Sequence, residues 1–218
     1  MKYLFYLLIS LVIHSLCYVC IRRKKLVNLV DEDEKEKYQS SFVLMGLSVL
    51  AITFFFIEWR VFLDTKTIFD FLRMIILYAV IMISAWIDYK CKIIPNKILL
   101  IAVGLRLLLY IPEGIYMGTE LLSELINEGL ALLLSLLLIV FSLILKKGIG
   151  MGDIKLFAVI ALYTGAFFTY SVLFVSVLAG AMIGVVMIVG FHRDKKTAIP
   201  FGPLILLGYM VAALLGSY

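Results

Sequence analysis

The chain has 218 residues, of which 64% are hydrophobic and 16% are charged, and its mean hydropathy is +1.10. A soluble domain is about 45–50% apolar and about 25% charged, so the composition predicts an integral membrane protein and excludes a large water-soluble domain. The formal net charge is +5, but the Lys and Arg residues lie in short segments between apolar runs. They form no basic stripe interleaved with exposed aromatic residues, which disfavours nucleic-acid binding.

The apolar runs predict about eight transmembrane helices, because a helix needs about 20 apolar residues to cross a bilayer. The runs lie at about Tyr3–Ile21, Phe42–Trp59, Ile68–Ile87, Ile98–Ile111 and Gly129–Leu145, in two parts of Leu156–Phe191 that turn near Gly165–Ser171, and at Ile199–Leu215. The predicted fold class is therefore all-α, a polytopic membrane protein. We divide it into a two-span N-terminal region, residues 1–67, and a core of about six spans, residues 68–218.

The charges between the runs predict the orientation. The first run is followed at once by Arg22-Arg23-Lys24-Lys25, whereas a cleaved signal peptide carries its charges before its apolar core. We therefore expect a retained span with the N-terminus outside, followed by a cytosolic loop at residues 22–40. Most Lys and Arg residues then fall on the cytosolic side, as the positive-inside rule requires. The same orientation places Asp88 and Asp153 at the cytosolic ends of their spans.

Acidic residues cluster in the segment Glu113–Glu128, which follows Pro112. We expect this proline to end the fourth span. Glu120, Glu124 and Glu128 are four residues apart, a spacing that places three carboxylates on one helical face. We interpret the segment as an interfacial helix with its charged side in water, rather than as a metal site.

No metal centre is predicted from the cysteines or histidines. Cys17 and Cys20 form a single C-x-x-C pair with no second pair in the sequence, whereas a zinc site needs about four ligands. His14 and His192 stand alone, and the sequence has no HExxH motif and no credible Ser/His/Asp set. The cysteines are interpreted as small apolar residues.

The two aspartates carry the most specific chemical signal. Asp88 ends one apolar run, and Asp153 lies between a Gly-Met-Gly triplet and the next run. A carboxylate at such a place is costly unless it has a partner or a role. Two carboxyl groups a few ångström apart share one proton, and such a pair can activate water and protonate a carbonyl oxygen. Each aspartate alone could instead be a helix N-cap or part of a surface ion pair.

Three segments resemble those of a known family. Gly150-Met151-Gly152-Asp153 resembles the GxGD motif of polytopic aspartic proteases. Asp88 with Ile94-Pro95-Asn96 resembles the first-aspartate motif of the bacterial type IV prepilin peptidases. Ile199-Pro200-Phe201-Gly202-Pro203 resembles a stretch near the end of the same family, and the resemblance covers roughly Ile68–Leu215.

The resemblance implies an inner-membrane endopeptidase that removes the short basic leader from prepilins and pseudopilins at the cytosolic face. Asp88 and Asp153 would be its catalytic pair, and no cofactor would be needed. The implied partners are leader peptides and the lipid bilayer, while the oligomeric state stays open. The alternatives are a small ion- or proton-coupled transporter that uses the aspartates as ion sites, and a non-catalytic assembly partner of a pilus or secretion machine.

The resemblance also implies a set of supporting residues. They are Gly150, Gly152, Lys155, Pro95, Asn96, Pro200, Gly202 and Pro203. The motif glycines would allow close backbone approach around the aspartate, and the first proline would break the chain before the fourth span. The lysine would either orient a carboxylate or anchor at the interface. The last two prolines would hold an extended segment beside the substrate.

The sequence departs from the larger bacterial members of this family at residues 22–40. Those proteins carry a domain there with two C-x-x-C pairs that hold zinc, and they methylate the new N-terminus of their product. The segment here contains no cysteine and is too short for such a domain. The expectation is therefore a peptidase without N-methyltransferase activity, similar to the shorter peptidase-only relatives.

Overall fold

The computed structural model describes residues 67–145, 150–189 and 200–215. Within these ranges the chain forms five α-helices, as the predicted all-α fold class requires. We number them α1 (Ile68–Cys91), α2 (Asn96–Met117), α3 (Glu120–Leu145), α4 (Met151–Val189) and α5 (Gly202–Leu215). The two-span region of residues 1–67 and the loop 22–40 lie outside the described residues except for Thr67. The eight-span count and the outer N-terminus therefore stay predictions.

Four of these helices, α1 to α4, are long and apolar enough to cross a membrane. The fifth, α5, has 14 residues and is shorter. Side chains on α2, α3 and the second half of α4 are exposed and apolar at many positions, which suits contact with lipid tails. Examples are Leu100, Leu107, Leu133, Leu137, Phe174 and Val186. The described part of the chain is thus an all-helical, multi-pass membrane protein.

Helix α1 has a defined start and a defined end. Thr67 and Asp70 form a capping box at its start, in which each backbone N–H donates to the other residue's side chain. At its end, Lys92 adopts a left-handed conformation with φ 54°, and its N–H donates to the Asp88 carbonyl at 2.8 Å. Pro95 then occupies the N-cap position of α2 in an extended conformation. The predicted break at this proline is confirmed.

Helix α2 corrects one prediction. Pro112 was expected to end the fourth span, but the helix continues through it to Met117 and stops at Gly118, where φ is 56°. A proline removes one backbone donor from a helix, and membrane helices tolerate this loss where neighbouring groups satisfy the freed carbonyl. The separate interfacial helix predicted for Glu113–Glu128 is also wrong, because a two-residue turn at residues 118–119 divides this segment between α2 and α3.

Helix α4 is broken at Gly165, where φ is 74° and ψ is −168°. Residues before the break and residues after it both pack against the start of α5. The Phe157 ring lies 6.5 Å from the Phe201 ring, and Gly180 packs beside Phe201 and Leu204. The chain therefore reverses near Gly165, which confirms the predicted turn between two apolar segments.

The buried core is formed mainly by α1, α4 and α5, and α2 contributes Ile98, Leu99 and Ala102 to it. It contains large apolar and aromatic side chains that are almost fully buried. They include Leu77, Ile81, Phe157, Ile160, Ile205 and Tyr209. The Tyr209 hydroxyl donates to the Met74 carbonyl at 2.9 Å, so α5 is also bonded to α1. This packing brings the end of α1 and the starts of α4 and α5 to one end of the molecule.

Candidate active site

Asp88 lies in the last turn of α1 and is only 6% exposed. Its Oδ2 atom accepts a hydrogen bond of 2.7 Å from the backbone N–H of Gly202, the first residue of α5. The first N–H groups of a helix have no partner within the helix, and they give its N-terminus a partial positive charge. The start of α5 is therefore a suitable binding position for the Asp88 carboxylate.

Gly202 cannot be replaced by a larger residue without a shift in this site. A Cβ atom at Gly202 would lie 2.9 Å from the Asp88 Cβ, 3.0 Å from its Oδ2 and 3.1 Å from the Ala85 Cα. Two of these neighbours belong to the body of α1 rather than to a flexible side-chain tip. The glycine thus allows α5 to approach α1 closely enough for the hydrogen bond to Asp88.

Asp153 lies in the first turn of α4 and is half-buried. Its carboxylate lies beside the Gly150 backbone, and Asp88 is near enough for its negative charge to act on Asp153. The two aspartates are far apart in the sequence, and the fold brings them close enough for electrostatic interaction. Between them they present two carboxyl groups at one end of the helices.

The two glycines before Asp153 make separate close approaches. A Cβ atom at Gly150 would lie 2.8 Å from the Asp153 Oδ2. A Cβ atom at Gly152 would lie 3.0 Å from the Cβ of Ile94, in the extended segment that follows α1. The first glycine leaves room for the Asp153 carboxylate, and the second allows α4 to pack against the connection between α1 and α2.

Lys155 and Asn96 contact each other. The lysine Nζ donates to the Asn96 Oδ1 at 3.0 Å, and both residues are exposed. This hydrogen bond joins the first turn of α4 to the first residue of α2. Within the described ranges, Lys155 forms no ion pair with either aspartate, so its direct contact is with an amide rather than with a carboxylate.

The two prolines of the last motif occupy different positions. Pro200 precedes α5 in irregular backbone, whereas Pro203 is the second residue of that helix. Proline is well suited to the first turn of a helix, where its missing N–H removes no helical hydrogen bond. The prediction of one extended segment that contains both prolines is therefore wrong for Pro203.

Sequence reasoning missed a buried ionic network at the other end of the helices. Four of its members are at most 7% exposed: Arg73, Arg106, Glu113 and Glu128. Glu124 and Asp70 are half-buried at its edge and both contact Arg73.

The interpretation of the acidic face as water-exposed is wrong for Glu124 and Glu128, although Glu120 is exposed. Arginines inside apolar runs require partners, and this rule could have linked Arg73 and Arg106 to the glutamates.

The network is centred on Arg106, whose side chain is fully buried. Its Nη1 donates to both carboxylate oxygens of Glu113 at 2.7–2.8 Å, and its Nη2 donates to the Glu128 Oε1 at 2.5 Å. The Tyr110 ring lies 4.1 Å from the guanidinium carbon, and its hydroxyl donates to Glu128. Arg73 lies about 22 Å before Asp88 along α1, at about 1.5 Å per residue. The network is therefore separate from the aspartate pair.

A metal centre is not suggested by the described residues, because they contain no group of three or more His, Cys, Asp or Glu side chains arranged to hold an ion. What the site offers is a pair of carboxyl groups and the N–H of Gly202. These groups are sufficient for acid–base chemistry on a water molecule.

The family model of the type IV leader peptidase family matches residues 75–185, which is about half of the chain and includes both aspartates. The chain belongs to this family. Membership of a leader peptidase family gives no support to the transporter hypothesis.

Curated relatives of this family member are named prepilin leader peptidase/N-methyltransferase. The protein from Bacillus subtilis (strain 168) is 32% identical over 148 residues, which are 66% of this chain and 55% of the relative. The protein from Legionella pneumophila is 25% identical over 212 residues, or 97% of this chain and 67% of the relative. The protein from Xanthomonas campestris pv. campestris is 29% identical over 138 residues, or 63% of this chain and 48% of the relative.

The matched regions thus span about half to two thirds of the length of these relatives. No solved structure matches the chain at a significant level.

Proposed function

We propose that this leader peptidase family member is a membrane aspartic endopeptidase that cleaves the leader from type IV prepilins or pseudopilins. One observation carries the proposal: Asp88 in the last turn of α1 and Asp153 in the first turn of α4 lie at the same end of the helices, where the start of α5 bonds to Asp88 through Gly202 and packs on α4 through Phe201 and Phe157. The family match and the names of the curated relatives support a prepilin as substrate.

In the proposed reaction, one of the two carboxyl groups is ionised and the other carries a proton. The ionised group takes a proton from a water molecule as the water oxygen attacks the carbonyl carbon of the substrate peptide bond. The protonated group gives its proton to the carbonyl oxygen. The tetrahedral intermediate then collapses: the C–N bond breaks, the leaving amine receives a proton from the pair, and one hydroxyl of the intermediate returns its proton to the pair, which restores the starting state. The products are a carboxylic acid and a new N-terminus.

The N–H of Gly202 supports this reaction by fixing one member of the pair. Its hydrogen bond to the Asp88 Oδ2 is 2.7 Å long, so this oxygen has a defined orientation before substrate binds. The other Asp88 oxygen and the Asp153 carboxyl group are the groups assigned to water and substrate. Positioned acid–base groups contribute about 10²–10⁴-fold to a rate, and their contribution depends on this orientation.

We place the reaction at the cytosolic face of the inner membrane. The end of the molecule that holds the aspartates also exposes Lys92, Lys97 and Lys155, and lysines near helix ends favour the cytosolic side. A basic leader would stay in the cytosol there, while the apolar helix of the substrate remains in the bilayer. We further propose that the product is released without N-methylation, since the sequence has a single C-x-x-C pair.

The experiment that tests the function is co-expression with a candidate prepilin, followed by N-terminal sequencing and mass analysis of the pilin. We expect the wild-type chain to yield a shortened, unmethylated pilin. Asp88→Asn and Asp153→Asn should leave the leader in place, whereas Glu120→Gln, which makes the same chemical change at an exposed site, should not. Complete processing by either aspartate variant would contradict an aspartic mechanism.

A further inference from the structure

The break in α4 leaves two backbone groups without helical partners. In an unbroken helix the N–H of Ala166 would donate to the carbonyl of Leu162, four residues earlier. The non-helical torsion angles of Gly165 end the first segment and start the second. Leu162 then belongs to the last turn of one segment and Ala166 to the first turn of the next, where carbonyl and N–H groups need outside partners.

Side chains from two other helices bind these two groups. The Oδ1 of Asn127, on α3, accepts a hydrogen bond of 3.1 Å from the Ala166 N–H. The Nε of Arg106, on α2, donates to the Leu162 carbonyl at 2.7 Å. Each side chain thus satisfies one half of the hydrogen bond that the turn lacks. The backbone groups at the break in α4 are therefore bonded by side chains of α2 and α3 rather than by each other.

Both capping side chains are themselves held in place. Arg106 is fixed by its ion pairs with Glu113 and Glu128. Asn127 packs directly against Gly165, because a Cβ atom at this glycine would overlap the Asn127 side chain. The positive φ of Gly165 is also one that other residues rarely adopt. The backbone conformation at Gly165 and the positions of the two capping side chains are therefore fixed together.

The segment between this turn and Asp153 is a single short helix, residues 151–164. Residues 151–164 carry Asp153 near one end and the turn at the other, about 17 Å away at about 1.5 Å per residue. Tyr163 donates to the Ala102 carbonyl of α2 at 2.7 Å near the turn, and Lys155 contacts Asn96 of α2 near the aspartate. A tilt at the turn would therefore displace the opposite end.

We propose that Asn127 and Arg106 are positioning residues for the peptidase reaction. By capping the two sides of the turn at Gly165 they set the direction of residues 151–164, and so the position of Asp153 relative to Asp88. The ionic network at the far end of the helices has, on this account, a role in catalysis as well as in stability. The inference rests on the proposed function, because it gives Asp153 its catalytic role.

The test uses Asn127, which is exposed and forms no ion pair among the described residues. Prepilin cleavage by the purified chain in liposomes is measured as kcat and KM, per folded molecule counted by size-exclusion chromatography. Asn127→Ala should lower kcat about 10-fold or more with KM little changed, since a misplacement of about 1 Å can cost about 100-fold. Asn127→Asp keeps the acceptor oxygen and should restore most of kcat. Ser123→Ala, one turn earlier on α3, should cleave at the wild-type rate.

A second measurement reports the position of residues 151–164 relative to α2 without using activity. Cysteines replace Asn96 and Lys155 in a chain whose native cysteines are changed to serine, and a short bifunctional thiol reagent then links them. Asn127→Ala should slow this cross-link several-fold, while Asn127→Asp and Ser123→Ala should not. If Asn127→Ala does not accumulate in folded form, Asn127→Ser takes its place in both measurements.

A fall in both kcat and the cross-linking rate would support the proposal. An unchanged kcat, or an unchanged cross-linking rate, would overturn it, as would equal losses for Asn127→Ala and Asn127→Asp. Failure of the proposed function would look different: Asp88→Asn and Asp153→Asn would then still cleave. In that case the cross-linking rate alone still decides whether Asn127 fixes the direction of residues 151–164.

Discussion

At the residue scale, the site depends on glycines as much as on its carboxylates. Gly202 brings the first N–H of α5 to within 2.7 Å of the Asp88 Oδ2. Gly150 leaves space for the Asp153 carboxylate, and Gly152 lets α4 pack on Ile94. These residues have no functional groups of their own, and their role is to permit distances that any Cβ atom would prevent.

Gly202→Ala tests this role directly. The added Cβ would lie 2.9 Å from the Asp88 Cβ, so α5 or the aspartate must move, and the hydrogen bond to the carboxylate would lengthen. We expect cleavage to fall by about 100-fold, the scale of a displacement of about 1 Å at a reacting group. Gly184→Ala is the matched control, because a Cβ there would meet nothing within 4 Å. Equal kcat values for the two variants in prepilin cleavage would contradict this explanation of Gly202.

At the element scale, the helices are joined differently at their two ends. Near the aspartates the contacts are close backbone approaches between α1, α4 and α5. At the other end, buried ion pairs connect α1, α2 and α3 through Arg73 and Arg106. Removing one partner of a buried ion pair is costly because it leaves the other charge unpaired.

Arg106→Ala should therefore destabilise the protein strongly. It leaves the buried carboxylates of Glu113 and Glu128 without their main partner, a change that typically costs about 3–5 kcal/mol. Arg106→Lys keeps the charge but loses the planar guanidinium that donates to Glu113, Glu128 and the Leu162 carbonyl at once, so its effect should be intermediate. Lys97→Ala, an exposed change on the same helix, serves as the control. In thermal unfolding followed by circular dichroism, we expect the highest midpoint for the control, a lower one for Arg106→Lys and the lowest for Arg106→Ala. The same midpoint for all three variants would contradict the network's stabilising role.

Much of the helical arrangement could be predicted from the sequence. The ends of the apolar runs placed Asp88 and Asp153 at helix ends, and Pro95 and Gly165 marked a break and a turn that the structure confirms. These features depend on local composition and backbone preference, which a sequence displays directly. The resemblance to prepilin peptidases, carried by three short motifs, agrees with the family that the chain belongs to.

The features that could not be predicted depend on neighbours in space. The spacing of Glu120, Glu124 and Glu128 indicates a shared helical face, but it does not say whether water or another helix lies against it. Only the folded chain shows Arg106 against Glu128. Pro112 was misjudged for the same reason, because its tolerance within α2 depends on the surroundings.

At the scale of the whole molecule, one end holds the aspartate pair and the other holds the ionic network. The core between them is apolar and is formed by side chains of α1, α2, α4 and α5. The first segment of α4 runs from one end to the other, since it carries Asp153 at its start and contacts Arg106 near Gly165. We propose that Asp88 and Asp153, at one of these ends, act together as one catalytic unit.

That claim is tested most directly by single-turnover cleavage of a prepilin by the purified Asp88→Asn, Asp153→Asn and doubly substituted chains. Residues that act as a unit show strongly non-additive losses, so each single variant should be as slow as the double variant. We expect the same residual rate for all three variants, at least about 100-fold below the wild type. A single variant that retains the wild-type rate, or losses that multiply in the double variant, would contradict it.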